Sequence, residues 1–292
     1  MLNRRQKYRL FKVFALLSLV RWWSILTVVS GMYLIAVFLL NEPIAWWATI
    51  KDIELHLTIY STACLVASGF IINNFYDLER DIINRPQNVV FKRLISQQSA
   101  LNFYFIFNLI GMILAFYVSK KVMLYNFLFG TALWFYSHKL EKRVFTSNLS
   151  ATLLSLAPFA ALSVLYRDIN FALFFYMGYL AIIVLMREFL KDLISLPGDK
   201  EFGYRSFALV HGITTTQHLF LGLGVLSVLP VIGLYLTYAI QETAIYYFVL
   251  SYITLLILAV FVLLSGKPNK YTLANNILKV LLGLGLLNIP FV

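Results

Sequence analysis

Cysteine is almost missing from this sequence, and charge is scarce. Cys64 is the one cysteine. That excludes an intrachain disulfide and any cysteine-based zinc cluster, and its place in an apolar run marks it as inert packing. Asp, Glu, Lys and Arg together make up 13% of the chain, against about 25% in an average soluble domain. No Gly/Ser-rich or Pro-rich linker interrupts the sequence, so no boundary between soluble domains is visible. Apolar residues fill the space: 61% of the chain is hydrophobic and the mean hydropathy is +0.80. Such a chain is an integral membrane protein. Its net charge of +11 would point to nucleic acid in a soluble protein. Here the better account is basic loops lying beside anionic lipid, so no nucleic-acid partner is expected.

A membrane-spanning helix needs about 20 apolar residues. Nine such stretches fall near 17–40, 54–76, 100–119, 121–138, 147–166, 169–188, 216–240, 244–265 and 273–291. The third and fourth are joined by little more than Lys120-Lys121 and must form a tight hairpin. The basic start before the first stretch (Arg4, Arg5, Lys7, Arg9, Lys12) mimics a signal peptide, but no small-residue cleavage site follows, which predicts a retained first span. With the N-terminus placed inside, the inside segments carry 19 Lys and Arg and the outside segments 4. This agrees with the positive-inside rule and puts the N-terminus in the cytoplasm. The expected fold is therefore all-α and integral to the membrane, one polytopic domain over residues 1–292. Nine helices would form two four-helix pseudo-repeats plus one around a central cavity.

Polar residues break the apolar pattern at two places. The second stretch runs into Asn73-Asn74-Phe75-Tyr76-Asp77-Leu78-Glu79-Arg80-Asp81, then Asn84-Arg85-Pro86. Asn73, Asp77 and Asp81 are spaced i, i+4, i+8, which places their oxygens on one helix face. Polar side chains at bilayer depth are expensive and are kept when they face a cavity or a partner. The sixth stretch ends in Arg187-Glu188-Phe189-Leu190-Lys191-Asp192-Leu193-Ile194-Ser195-Leu196-Pro197-Gly198-Asp199. Glu188, Asp192, Ser195 and Asp199 would share a face if that helix continued. Pro197 predicts that it stops near Leu196, with Asp199 on the following loop. Four spans separate the two clusters, so both emerge on one membrane face. Carboxylates with interleaved Arg and Lys suit a Mg²⁺–diphosphate headgroup, the acids holding the metal and the bases taking phosphate oxygens. Read singly, each acid could equally be an ordinary loop charge in a surface salt bridge. Two clusters in matching positions, one beginning inside an apolar run, favour a site. The abundant aromatics could stabilise a cation, but most are expected at lipid or at the membrane interface, and none is assigned a role.

These residues resemble the two signatures of the UbiA superfamily of intramembrane prenyltransferases. The first, Asn-Asp-x-x-Asp-x-x-x-Asp followed by Asn-Arg/Lys-Pro, reads here Asn73-Asn74-x-x-Asp77-x-x-x-Asp81 and Asn84-Arg85-Pro86. The second, Arg-Glu-x-x-Lys-Asp-x-x-Asp-x-x-Gly-Asp, reads Arg187-Glu188-x-x-Lys191-Asp192-x-x-Ser195-x-x-Gly198-Asp199, with Gly203 and Arg205 following as in relatives. Weaker echoes are Arg21 near the first span, and Tyr136-Ser137 before a basic loop that ends at Asn148. The resemblance implies Mg²⁺-dependent transfer of an isoprenyl chain from an allylic polyprenyl diphosphate to a lipophilic acceptor in a multi-pass protein of the cell (inner) membrane. It implies Asn73, Asp77, Asp81 and Asp199 at the metal and Arg85, Arg187 and Lys191 at the diphosphate. Asp192 is then a metal ligand or a residue that orients the acceptor. The form Arg-Glu-x-x-Lys-Asp leans toward an acceptor of the geranylgeranylglyceryl phosphate type, with quinone and haem precursors as the other options. Two positions depart from the pattern. Asn74 stands for an Asp but points off the ladder by about 100°, so little loss is expected. Ser195 removes a carboxylate from the second motif. That motivates an alternative reading, a catalytically impaired isoprenoid-binding protein of the same fold. A transporter of an anionic lipid or metabolite would keep its charges near the midplane, and here they gather at one surface.

Overall fold

The fold was analysed in a computed structural model that describes residues 3, 13–40, 46–84, 95–167, 170–237 and 241–292. Arg85, Pro86, Lys92 and Arg93, and the basic residues Arg4 to Lys12, lie outside the described residues. Among the described residues every regular element is helical. Short α1 (Val13–Leu19) and α2 (Trp22–Phe38) meet at a 55° bend. Arg21 turns the chain there in a left-handed conformation, φ 52° and ψ 54°. Then come α3 (Trp46–Lys51), α4 (Ile53–Asn84), α5 (Gln97–Val118), α6 (Lys120–His138), a 3₁₀ turn at Leu140–Lys142, α7 (Thr146–Tyr166) and α8 (Phe171–Glu201). The chain finishes with α9 (Phe207–His211), α10 (Ile213–Leu226), α11 (Val228–Thr237), α12 (Glu242–Leu263), α13 (Pro268–Asn288) and a 3₁₀ turn at Ile289–Phe291.

Seven of these segments are long and apolar enough to cross a membrane, or eight if the bent α1–α2 pair is one span. The stretch expected at 121–138 is helical as α6, but it carries Lys120, Lys121, Asn126, Ser137 and His138 and is not among those seven. The expected Lys120-Lys121 hairpin is tighter still, because both lysines belong to the first turn of α6. Ser119 alone breaks the chain, in an extended conformation, and its hydroxyl accepts from the Val122 N–H to cap α6. Serine suits that position because its oxygen satisfies an otherwise orphaned N–H.

α4 and α8 are the two longest helices, and each carries one of the polar motifs. They are also the most enclosed. In the apolar stretch of α4, 67% of residues are buried, and in α8 56%, against 11% in α5. α5 instead turns Phe105, Leu109, Phe116 and Tyr117 outward, as a helix facing lipid does. The main core forms around α8, whose Tyr176, Tyr179, Ile183 and Met186 pack with Phe220 of α10, Leu255 of α12 and Leu278 of α13. Both motif helices are thus held on several sides before their polar ends emerge.

The largest difference from the sequence expectation is at Pro197. α8 does not stop near Leu196; it runs on to Glu201 with Pro197 inside it. Three contacts hold the turn that proline weakens. The Gly198 N–H donates to Asn84 Oδ1 at the end of α4 (2.9 Å), and the Ser195 hydroxyl donates across the proline to Asp199 Oδ2 (2.8 Å). Beyond them the Phe202 N–H closes on the Gly198 carbonyl (3.0 Å). Asp199 is therefore a helical residue, not a loop residue, and it does share a face with Ser195, Asp192 and Glu188. The chain turns off the helix at Gly203, whose φ of 68° only glycine adopts freely. The Tyr204 N–H then returns to the Asp199 carbonyl (2.9 Å), the pairing of a Schellman turn.

Candidate active site

The described part of the first motif, Asn73 to Asn84, lies on α4, which continues eight residues past the expected end of the span. Asn73 Nδ2 donates to Asp77 Oδ2 (3.0 Å), one turn on, as the i, i+4 spacing demands, and also to Glu141 Oε2 (2.8 Å) in the 3₁₀ turn after α6. Asp77 is 5% exposed. Such a carboxylate needs partners, and it has three. Besides Asn73, Arg80 Nη2 lies 2.9 Å from Oδ2, and the Tyr204 hydroxyl donates to Oδ1 (3.2 Å). Burial, and then Asp77 beside it, push the Tyr204 phenol upward, so it remains a neutral donor.

Arg80 joins the two motifs. Its Nη2 also contacts Glu141 Oε1 at 2.7 Å, its Nη1 faces Asp199 Oδ1 at 3.7 Å, and its guanidinium lies 4.2 Å from the Tyr204 ring centroid. Asp199 is 1% exposed. Its Oδ2 accepts from Ser195, while its Oδ1 is buried and accepts no hydrogen bond. Asn84 and Gly198 meet one turn away, so the tails of both motifs touch. The sequence expectation that two distant clusters reach one place therefore holds for Asn73, Asp77 and Asp199.

The other expected residues lie around this centre. Asp81 is half-buried on α4, one turn beyond Asp77. Asp192 is tied to neighbouring elements: its Oδ2 accepts from Asn148 Nδ2 of α7 and from the Phe207 N–H that opens α9, both at 3.0 Å. Lys191 pairs with Glu188 at 2.5 Å. Arg187 Nε donates to Asn275 Oδ1 of α13 (3.2 Å). Arg85 lies outside the described residues. Asn74 points away from the ladder, as expected, and has its own task. Its Nδ2 donates to the Leu19 carbonyl (2.9 Å) and to the Phe70 carbonyl (2.8 Å). It thereby fastens α4 to the bend between α1 and α2, which a carboxylate could not do.

Two contributors were missed by sequence reasoning, Glu141 and Tyr204. A signal existed for Glu141: it is the only acid between Asp81 and Asp168, and it sits inside the basic run Lys139–Arg143. Burial, and then Asp77, push its carboxyl upward, while Arg80 pulls it down. For Tyr204 there was no signal, because the Schellman turn that aims it depends on α8 continuing through Pro197.

Among the described residues no three acidic, His or Cys side chains converge into a ready-made metal cage. The donor set still fits a hard cation. It is all oxygen, it is strongly acidic, and the buried Asp199 Oδ1 accepts no hydrogen bond and faces only the Arg80 guanidinium, at 3.7 Å. Apart from the charged centre, a mainly apolar cavity of about 390 Å³ opens between α6, α7 and α8. Tyr125, Leu153, Leu156, Leu173, Phe174 and Met177 are among its lining residues.

The chain is 30% identical over 243 residues to the digeranylgeranylglyceryl phosphate synthase of Korarchaeum cryptofilum, a match covering 77% of this chain and 82% of the relative. With the synthase of the same name from Methanosphaera stadtmanae it shares 30% identity over 146 residues, half of this chain and 53% of the relative's length. The fold is similar to that of a UbiA homologue from Archaeoglobus fulgidus solved with GPP and Mg²⁺. That similarity has a TM-score of 0.65 and 16% identity, and covers 95% of this chain and 100% of that one. Residues 44–279 match the UbiA prenyltransferase family. The match takes in both motif helices and the turn that brings Glu141 between them, and the chain belongs to that family.

Proposed function

We propose that this chain moves an isoprenyl group from an allylic polyprenyl diphosphate to a lipophilic acceptor, with Mg²⁺ at the donor's diphosphate. The acceptor is a glycerol-phosphate lipid of the geranylgeranylglyceryl phosphate type. The observation that carries this reading is the meeting of Asp77 and Asp199 around Arg80, from helices four expected spans apart. The names of the relatives support the acceptor, as does the Arg187-Glu188-x-x-Lys191-Asp192 form. Mg²⁺, when bound, neutralises diphosphate charge as the allylic C–O bond breaks. The protein's own groups do the rest. Asn73, Asp77, Asp81 and Asp199 would hold the metal through their oxygens, and Tyr204 and Ser195 hold Asp77 and Asp199 in place. Lys191, Arg187 and Arg85 offer positive charge to the leaving diphosphate. Asp192, fixed by Asn148 and the Phe207 N–H, would serve as a further metal ligand or orient the acceptor's hydroxyl. The enclosing helices keep water from the allylic cation, and the acceptor oxygen forms the new C–O bond as its proton passes to the released diphosphate.

The donor tail runs from this charged end toward the apolar cavity. Met177 and Asp192 are 15 residues apart on α8, about 22 Å along the helix. In this reading one membrane domain of nine spans, arranged as two four-helix halves plus one, surrounds the path. The N-terminus and both motifs face the cytoplasm. Ser195 favours a second reading, a protein that binds the donor without turning it over. Incubating the purified chain with Mg²⁺, allylic diphosphates of several lengths and a panel of acceptors separates the two, with products followed by mass spectrometry. The first reading predicts geranylgeranylglyceryl phosphate prenylated by wild type and not by Asp77→Asn. Saturable Mg²⁺-dependent diphosphate binding without product supports the second, and binding indifferent to Asp77 contradicts the site itself.

A further inference from the structure

Arg80 is a cation that neither motif signature calls for, yet it is the point where four chain segments meet. α4 supplies Arg80 itself and Asp77, the 3₁₀ turn supplies Glu141, α8 supplies Asp199, and the turn after α8 lays Tyr204 over the guanidinium. This is no surface pairing. The Arg80 side chain is 16% exposed, and those of Asp77, Glu141 and Asp199 are drier still at 7%, 9% and 2%. Burying charges this far is repaid only by good geometry.

The partners divide into two kinds. Asp77 and Asp199 belong to the motifs, and a divalent cation would compete with the guanidinium for their oxygens. Glu141 belongs to neither motif. Its Oε1 takes Arg80 at 2.7 Å, and its Oε2 accepts from Asn73 Nδ2 at 2.8 Å. Glu141 thus contacts Arg80 directly and not through the other two acids. We propose that Arg80 is a substrate-binding residue whose guanidinium turns to the donor's phosphate oxygens once Asp77 and Asp199 hold metal, with Glu141 and Tyr204 as the positioning residues that keep it there. A planar guanidinium suits phosphate because two N–H groups bind two oxygens at once. The inference rests on the metal–diphosphate reading given above. The competing role for Arg80 is a stand-in cation that merely separates carboxylates in the ligand-free protein. The two roles predict opposite signs.

The test is calorimetric titration of the full chain in detergent with inorganic diphosphate at fixed Mg²⁺. Arg80→Gln is expected to weaken binding by ~10-fold or more, the usual scale for truncating a buried charge pair. Arg80→Lys keeps the charge and loses the fork, so it weakens binding less. Glu141→Gln shifts affinity in the same direction, and adding it to Arg80→Gln changes nothing further. Binding as tight as wild type, or tighter, in Arg80→Gln overturns the proposal, because releasing Asp77 and Asp199 would then have helped the metal. If thermal melting shows that Arg80→Gln does not fold, Arg80→Lys carries the test with the same signs. Absence of Mg²⁺-dependent binding in wild type would instead contradict the diphosphate reading itself.

Discussion

At the scale of single residues, the site is decided by which side chains can donate. Asn74 and Ser195 both stand where the family pattern has a carboxylate, and both donate hydrogen bonds in this fold. Asn74 links two backbone carbonyls, that of Leu19 at the end of α1 and that of Phe70 one turn earlier on α4. An acid there would face the Leu19 and Phe70 oxygens with no proton to give. Asn74→Asp should cost about 1–3 kcal/mol, the price of leaving buried acceptors unpaired, and should lower the melting temperature of the detergent-solubilised protein. Unchanged melting would show that the α1 end is held by packing alone. The sequence predicted that Asn74 points off the ladder, since helical spacing settles direction. It could not give the partner, because Leu19 lies 55 residues away.

At the scale of elements, the site depends on the length of α8. Local rules ended that helix before Pro197, and they missed because the compensation is not local. Asn84, from another helix, takes the Gly198 N–H. Close approach also explains why residue 198 is glycine: a Cβ there would lie 2.5 Å from Asn84 Nδ2. Gly198→Ala should therefore push the ends of α4 and α8 apart, with an overpacking cost of about 1–3 kcal/mol and weaker Mg²⁺-dependent diphosphate binding. Melting and titration measured together check this. Lost stability with unchanged binding would mean that the Asn84 contact supports the fold and not the site. The motif ladder on α4 was fully legible, because period and polarity coincide there. The contribution of Glu141 was half legible, visible as a lone acid in a basic loop but without an address.

At the scale of the whole molecule, membrane character was plain from composition, while the crossings depend on α6. That helix is polar for a span, yet its 19 residues rise about 28 Å, close to the ~30 Å of a bilayer core. If α6 crosses, Lys120 and Lys139 lie on opposite sides, and the turn bearing Glu141 shares a side with both motifs. In a Cys64→Ala background, Lys120→Cys should react with an impermeant thiol reagent from the outer face of intact cells, and Lys139→Cys only after the inner face is opened. Labelling of both from one side would remove α6 from the spans and reverse the orientation of everything before or after it. The central claim is that two motifs delivered by distant helices act as one site. It is tested most directly by the initial rate of diphosphate release from geranylgeranyl diphosphate, with Mg²⁺ and geranylgeranylglyceryl phosphate, in Asp77→Asn, Asp199→Asn and the double variant. Groups that act as a unit are strongly non-additive. Each single change should cut the rate by ~100-fold or more, and the double should be little worse than either. Mild single effects that multiply in the double variant would contradict the account.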